Sequence, residues 1–129
     1  MIEADKLVLK TLEIINYFNP HYWFIENPLG RMKDREIMKD KFYHIVDYCM
    51  YCDWGYRKRT CIWTNKTDWE AKLCNKKCGN MVGSLHKTNL GNADRQKRAN
   101  LINVNKDNRT SQEDRYRVPP DLIYSLFLD

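Results

Sequence analysis

Apolar positions near the start of the chain recur at the spacing of an amphipathic helix. Over residues 3–18 they form two neighbouring stripes, Val8, Leu12 and Ile15 in one and Leu7, Ile14 and Phe18 in the other. Glu3 and Asp5 are typical of a first helical turn, where acidic side chains complement the helix dipole. Asn19-Pro20 predicts the end of the helix, because the residue before a proline avoids the helical region.

Three short apolar runs follow the predicted helix. They are YWFIE at 22–26, FYHIVDYCM at 42–50 and RTCIWTN at 59–65. The first predicts a fully buried strand, because it is aromatic and lies between two prolines. Gly55 lies between the other two runs and predicts a turn that joins them as a hairpin. A helix followed by a buried strand favours an α/β fold, in which ligands bind beyond the carboxyl ends of the strands. Glu26 and Asn27 occupy that position in the first strand.

The polar character of the chain increases from Lys66 onward and predicts three parts. Residues 1–65 form a partial α/β core, and residues 66–117 form a loop-rich, cysteine-containing basic excursion. Its basic side chains concentrate in 91–117: Arg95, Lys97, Arg98, Lys106, Arg109, Arg115 and Arg117. Residues 118–129 predict a short helix, capped by Asp121, that packs back on the core.

Composition restricts the class of protein. The chain has 129 residues, of which 43% are hydrophobic and 30% charged, as in one globular domain. No apolar run approaches the roughly 20 residues of a membrane span, and the first residues do not resemble a signal peptide. We therefore expect an intracellular protein with no membrane partner. A net charge of +5 favours polyanionic partners, although a mixed solvated surface explains it equally well.

Five cysteines without a secretory signal argue against a disulfide framework. Cys49 and Cys52 form a C-x2-C pair, and Cys74 and Cys78 form a C-x3-C pair. Because zinc takes four nitrogen or sulfur ligands, these four cysteines predict a zinc site, in which His86 could replace one of them. The alternative is a set of reduced cysteines that pack in the core and bind no metal. We expect such a packing role for the fifth cysteine, Cys61, which lies within a predicted strand.

Two further groups could carry chemistry. Glu26 at a strand end could hydrogen-bond a flat heterocycle, with Asn27 beside it and Arg31 brought near by the Pro28–Gly30 loop. The alternative is an exposed acid in an ordinary turn. In the basic run at 57–59, the two arginines share one side of an extended segment and the lysine takes the other, which suits phosphate. The alternative there is a solvated hairpin tip. The residues of this run are Arg57, Lys58 and Arg59.

Taken in order, four blocks of the sequence resemble a known family. They are YWFIENPLGRM, DYCMYCDWGYRKRTCIWTN, LCNKKCGNMVGSLHKT and RYRVPPDLIYSLF. Together they resemble the C-terminal half of DNA (cytosine-5) methyltransferase-like proteins of the phage and large DNA virus type, and the first two blocks are the specific ones. The resemblance implies a partial Rossmann-like methyltransferase sheet made of its late strands, followed by a zinc-stabilised, loop-rich region.

The resemblance also implies roles for single residues. Glu26 corresponds to the acid that holds a flipped cytosine at its N3 and amino groups, and Asn27 is its structural neighbour. Arg57 and Arg59 are similar to paired arginines that orient the catalytic loop and the target nucleotide's backbone, with Lys58 and Arg31 as further DNA contacts. The segment 74–86 resembles the variable recognition region.

Two motifs of the family are missing from the sequence. No G-x-G turn for S-adenosylmethionine occurs, and no Pro-Cys pair supplies the nucleophile. We therefore expect a fragment that is inactive alone and acts as a subunit of a split enzyme, binding S-adenosylmethionine only with a complementing chain. The alternative is a degenerate, non-catalytic protein that binds zinc and nucleic acid or has a structural role in a virion or another large assembly.

Overall fold

Two helices and five strands make up the part of the chain that the computed structural model describes, residues 3–88 and 116–128. They are α1 (Glu3–Phe18), β1 (Phe24–Pro28), β2 (Tyr43–Asp47), β3 (Arg59–Thr64), β4 (Met81–Val82), β5 (Leu85–His86) and α2 (Pro120–Leu128). Single 3-10 turns occur at Met32–Asp34 and Tyr48–Met50. The prediction of helix α1 is confirmed. Asn19 follows the last residue of α1 and has a left-handed φ of 44°. The Asn19 N–H donates to the Ile15 carbonyl at 2.9 Å, as is common at the C-terminal end of a helix.

The main sheet has three strands in the order β1-β3-β2. β3 runs antiparallel to both neighbours, so the predicted hairpin of β2 and β3 is confirmed. The implied Rossmann-like sheet stays a prediction for these strands. β1 and β2 point the same way, but β3 lies between them, so no two neighbouring strands of this sheet are parallel. Only the coarser prediction, a mixed α/β fold, is confirmed.

The first predicted strand differs in position and burial. β1 covers Phe24–Pro28 rather than 22–26, and its residues are half-buried or exposed. The reason is that β1 is an edge strand, with β3 on one side only. Proline has no N–H to donate to a neighbouring strand. Pro28 is tolerated in β1 because an edge strand has a neighbour on one side only.

Each face of the sheet packs on one helix. Side chains directly opposite one another in neighbouring strands share a face. Ile62 and Val46 point toward α2 and form one core cluster with Leu122 and Leu126. The other face forms a second cluster under α1, built from Val8, Met38, Cys61 and Trp63. The strand pattern thus produces three layers, with α1 and α2 on opposite sides of the sheet.

Helix α1 buries only one of its two predicted stripes. Val8 is buried and Leu12 packs against the second cluster, whereas Leu7 is 73% and Phe18 71% exposed. Asp5, in the first turn of α1, accepts a hydrogen bond from Arg35 Nε at 2.6 Å, which ties the helix to the segment after β1. Within residues 3–88 and 116–128, no helix has both the length and the apolar composition that a membrane crossing requires.

The division of the chain into parts at 1–65, 66–117 and 118–129 stays a prediction. Most of the basic excursion, residues 89–115, lies outside the described residues. Residues 66–88 contain the two-stranded β4–β5 sheet and otherwise run as loops. Helix α2 is held by Lys66, whose Nζ donates to the Leu126 carbonyl at 3.1 Å, and by Trp69, whose Nε1 donates to Ser125 Oγ at 3.2 Å.

Candidate functional site

The carboxylate of Glu26 is exposed but fixed. It lies on the α2 side of the sheet, opposite Ile62, and accepts a hydrogen bond from Tyr48 Oη at 2.8 Å. The Tyr48 side chain is completely buried. Burial and the nearby Glu26 charge raise the pKa of this phenol, so it stays protonated and remains a donor at neutral pH. The result is an exposed acceptor whose position is set by a buried side chain.

Asn27 does not share a surface with Glu26. Successive strand residues point to opposite faces, so Asn27 lies on the α1 side, opposite Cys61. Its Nδ2 donates to the Pro28 carbonyl at 3.3 Å, which makes it a local support for the end of β1. The sequence predicted that these two residues belong to one site. Because successive residues of a strand alternate between its faces, their side chains lie on opposite sides of the sheet.

Two contacts link the basic run at 57–59 to the strand that carries Glu26 and to Tyr48. The Leu29 N–H donates to the Arg59 carbonyl at 2.9 Å, which ties the loop after β1 to the start of β3. Lys58 Nζ lies 5.5 Å from the centre of the Tyr48 ring, beside the same tyrosine that holds Glu26. Arg57 and Arg31 are exposed. A positive charge, that of Lys58, thus lies beside the tyrosine that fixes the Glu26 carboxylate.

Arg59 forms an ion pair within the fold. Its Nε and Nη2 form a fork with the carboxylate of Asp47, at 2.9 and 2.8 Å. Asp47 is fully buried and also accepts the Cys74 N–H at 2.7 Å. Burial alone would raise the pKa of Asp47, but the Arg59 guanidinium and the Cys74 N–H together hold it below its ordinary value. Two nitrogens of the Arg59 guanidinium are therefore engaged with Asp47, and the predicted DNA contact of this residue stays a prediction.

Four potential metal ligands meet at the end of β2. Cys49 follows β2 in the 3-10 turn, Cys74 and Cys78 lie in the loop before β4, and His86 lies in β5. Their ligand atoms all fall within 4.8 Å of one another. These three thiols and one imidazole, which we call the Cys3His group or metal-ligand group, could hold a metal ion such as zinc.

Cys52 lies outside this group, contrary to the predicted set of four cysteines. Within the described residues, the metal-ligand group contains His86 in its place. The chain turns back after the 3-10 turn, so that Cys52 Sγ donates to the Tyr48 carbonyl at 3.1 Å. Cys61 is buried in β3, as the prediction of a packing role requires.

Asn80 and Asp47 were not predicted from the sequence, although both hold the site together. The Asn80 side chain is buried, and its Nδ2 donates to the carbonyls of Cys49 and Cys52 at 3.0 and 2.9 Å. Its Oδ1 accepts the Gly55 N–H at 3.1 Å. For Asp47 a signal existed: an acid inside the apolar run FYHIVDYCM requires a partner if that run is a buried strand.

Comparison with known proteins gives one relationship. The chain is 37% identical, over 131 aligned residues, to a protein of Frog virus 3 (isolate Goorha) described as a probable DNA (cytosine-5)-methyltransferase. The chain is related to this viral protein. The resemblance predicted from the four sequence blocks is thereby confirmed. The alignment covers 93% of this chain but 55% of the viral protein, so the chain spans about half the length of its relative. No family model and no solved structure matches the chain.

Kinship with the viral protein directs attention to Glu26, because the block that contains it is among the most specific of the resemblance. The predicted DNA-related roles of the following residues stay predictions: Glu26, Asn27, Arg31, Arg57, Lys58 and Arg59. Six of the seven basic residues named in the 91–117 segment lie outside the described residues. The described residues thus contain two candidate sites: the Glu26–Tyr48 pair with Lys58 beside it, and the Cys3His group.

Proposed function

We propose that this chain is a nucleic-acid-binding, methyltransferase-like protein in which Glu26 holds a cytosine base. The observation that carries the proposal is the exposed carboxylate of Glu26, fixed by the buried hydroxyl of Tyr48 at 2.8 Å. The 37% identity to the viral protein, whose name refers to cytosine-5 methylation of DNA, supports the same reading.

The hydrogen-bonding chemistry of Glu26 suits cytosine. Tyr48 occupies Oε2, and Oε1 accepts no hydrogen bond from the described part of the chain. A carboxylate oxygen can accept from the exocyclic amine of cytosine, a donor that thymine lacks. Inside a duplex the Watson–Crick edge of the base is already paired, so contact there requires the base to leave the stack. We therefore expect the preferred ligand to contain an unpaired or easily extruded cytosine.

The neighbouring basic residues would contact the phosphate backbone. Arg31, Arg57 and Lys58 are the candidates, whereas two guanidinium nitrogens of Arg59 already donate to Asp47. Contacts of this kind supply affinity without sequence preference and weaken as salt rises. The basic surface and Glu26 thus have separate expected roles, one in affinity and the other in the choice of base.

Methyl transfer would need groups from elsewhere. The printed sequence contains neither a G-x-G turn nor a Pro-Cys pair. We propose that S-adenosylmethionine and the nucleophilic cysteine are provided by a complementing polypeptide, as in a split enzyme. A transfer assay with the purified chain, DNA and isotopically labelled S-adenosylmethionine is then expected to show no incorporation. Measurable incorporation by this chain alone would overturn the split-enzyme proposal.

The base-holding proposal is tested by fluorescence anisotropy with two duplexes that differ only in one mismatched base, cytosine or thymine. The wild-type chain is expected to bind the cytosine duplex about tenfold more tightly, because one good base contact gives roughly 1–3 kcal/mol of discrimination. Glu26→Ala should abolish this preference while it retains most of the affinity. Glu36→Ala is the matched control, since Glu36 is an exposed acid that pairs with Lys39.

Two results would contradict the base-holding proposal. One is equal binding of both duplexes by the wild-type chain. The other is an unchanged preference in Glu26→Ala, with circular dichroism showing that the variant is folded.

A second candidate is a structural role without any base recognition. The exposed apolar stripe of α1, which includes Leu7 and Phe18, favours it because assembly interfaces bury surfaces of this kind. In that case the chain would bind neither duplex with a base preference, and the anisotropy experiment separates the two candidates.

A further inference from the structure

The Cys3His group has the dimensions of a tetrahedral metal site. Cys74 Sγ and Cys78 Sγ each lie 3.6 Å from His86 Nε2. Zinc bonds of about 2.3 Å to sulfur and 2.0–2.1 Å to nitrogen, at the tetrahedral angle, separate a sulfur from a nitrogen ligand by roughly 3.6 Å. Two of the six separations between ligand atoms thus equal those that a bound ion would require, and all six are within 4.8 Å.

We propose that Cys49, Cys74, Cys78 and His86 bind one structural zinc ion. Three thiolates and an imidazole favour zinc over magnesium or calcium, which take oxygen ligands. Four protein ligands close the coordination shell, so the ion has no open position for catalysis. Cys49 is buried and the other three ligands are half-buried, which limits competition from water.

The surroundings of the ligands fit a prepared site. The Cys74 N–H is held by Asp47, and the Lys76 N–H donates to Cys74 Sγ at 3.4 Å. Asn80 fixes the turn that carries Cys49 through the Cys49 carbonyl. Lys76 takes a left-handed φ of 69°, which bends the loop so that the cysteine pair at its ends faces one point. Hydrogen bonds of this kind, made by residues that do not bind the ion themselves, orient its ligands and raise metal affinity.

A zinc ion would also explain how the loops of residues 66–88 keep their place. This segment contains only the two-residue strands β4 and β5, which pair with each other and not with the main sheet. The ligands come from three separate points: the turn after β2, the loop 74–78 and β5. One ion therefore joins segments that no shared sheet connects, and its binding energy adds to the stability of the fold. The inference is independent of base recognition.

The test measures metal in the untagged full chain, produced with added zinc and freed of loosely bound metal by gel filtration. Elemental analysis is expected to find about one zinc per chain. With cobalt(II) in place of zinc, the thiolate-to-cobalt charge-transfer absorption should report three thiolates. His86→Cys should raise this absorption by about a third, and Cys78→Ser should lower it by about a third.

Cys52→Ser is the matched control, because Cys52 belongs to the predicted C-x2-C pair but lies outside the metal-ligand group. It is expected to leave both the zinc content and the cobalt spectrum unchanged. A zinc content near zero in the wild-type chain would overturn the proposal. So would a cobalt spectrum that changes in Cys52→Ser but not in His86→Cys. Because the wild-type chain and His86→Cys both retain four ligands, the test stays decisive even if Cys78→Ser fails to fold.

Discussion

Replacement of Arg59 by methionine tests whether this arginine stabilises the fold or contacts DNA. The substitution keeps an unbranched apolar stem and removes both hydrogen bonds to Asp47, at 2.9 and 2.8 Å. Asp47 is 0% exposed, so its carboxylate would keep only the Cys74 N–H as a partner. We expect the variant to be markedly less stable, because a buried charge left without its counter-ion retains its full desolvation cost.

The size of the effect follows from the exposure of the two partners. Loss of one partner from a fully buried ion pair costs about 3–5 kcal/mol, whereas exposed pairs contribute about 0–1 kcal/mol. The Arg59 side chain is 38% exposed, so solvent screens part of the interaction. We therefore expect a loss of about 2–3 kcal/mol of unfolding free energy in Arg59→Met. That is a large share of the roughly 5–15 kcal/mol that stabilises a domain.

The assay is urea unfolding followed by tryptophan fluorescence, at a constant free zinc concentration. Arg57→Met is the control, because Arg57 is exposed, and we expect it to change stability by less than about 0.5 kcal/mol. The double variant Asp47→Asn/Arg59→Met should lose less than the sum of the two single changes, since both remove one interaction. The reasoning is refuted if Arg59→Met unfolds at the wild-type urea concentration and loses DNA affinity as Arg57→Met does.

Two further substitutions test the site and the core. Tyr48→Phe removes the hydroxyl that donates to Glu26, so we expect a loss of about 1 kcal/mol in urea unfolding and a weaker cytosine preference by anisotropy. An unchanged preference would show that Tyr48 does not position Glu26. Leu122→Ala should cost about 2–5 kcal/mol because Leu122 is fully buried between α2 and the sheet. Ile123→Ala, at an exposed position on the same helix, should cost under about 1 kcal/mol, and equal losses would contradict the packing.

Three consecutive residues at the end of β2 connect the parts of the site. Asp47 accepts the fork of Arg59, Tyr48 donates to Glu26, and Cys49 belongs to the metal-ligand group. Their side chains point in different directions because β2 ends at Asp47 and a 3-10 turn follows. The end of β2 is therefore where the ion pair, the proposed base-holding carboxylate and the proposed zinc site depend on one short piece of backbone.

The local signals in the sequence determined the elements. Helix α1, its end at Asn19-Pro20 and the hairpin of β2 and β3 follow from residue spacing and from proline and glycine, which act on the backbone of their immediate neighbours. The cysteine spacing likewise indicated a metal site and named His86 as a possible replacement ligand. The ordered blocks of sequence were enough to indicate a resemblance to viral cytosine-5 methyltransferase-like proteins, and the chain is related to one protein described in that way.

Only the tertiary structure decided how these elements combine. The order β1-β3-β2 depends on the pairing of β1 with β3, between residues 32 to 40 positions apart, which no local pattern specifies. The register of β2 with β3 sets Asp47 opposite Arg59, so that the two side chains form an ion pair. It also decides that His86, and not Cys52, joins the other three ligands, because a ligand set is fixed by where segments meet in space rather than by their spacing along the chain.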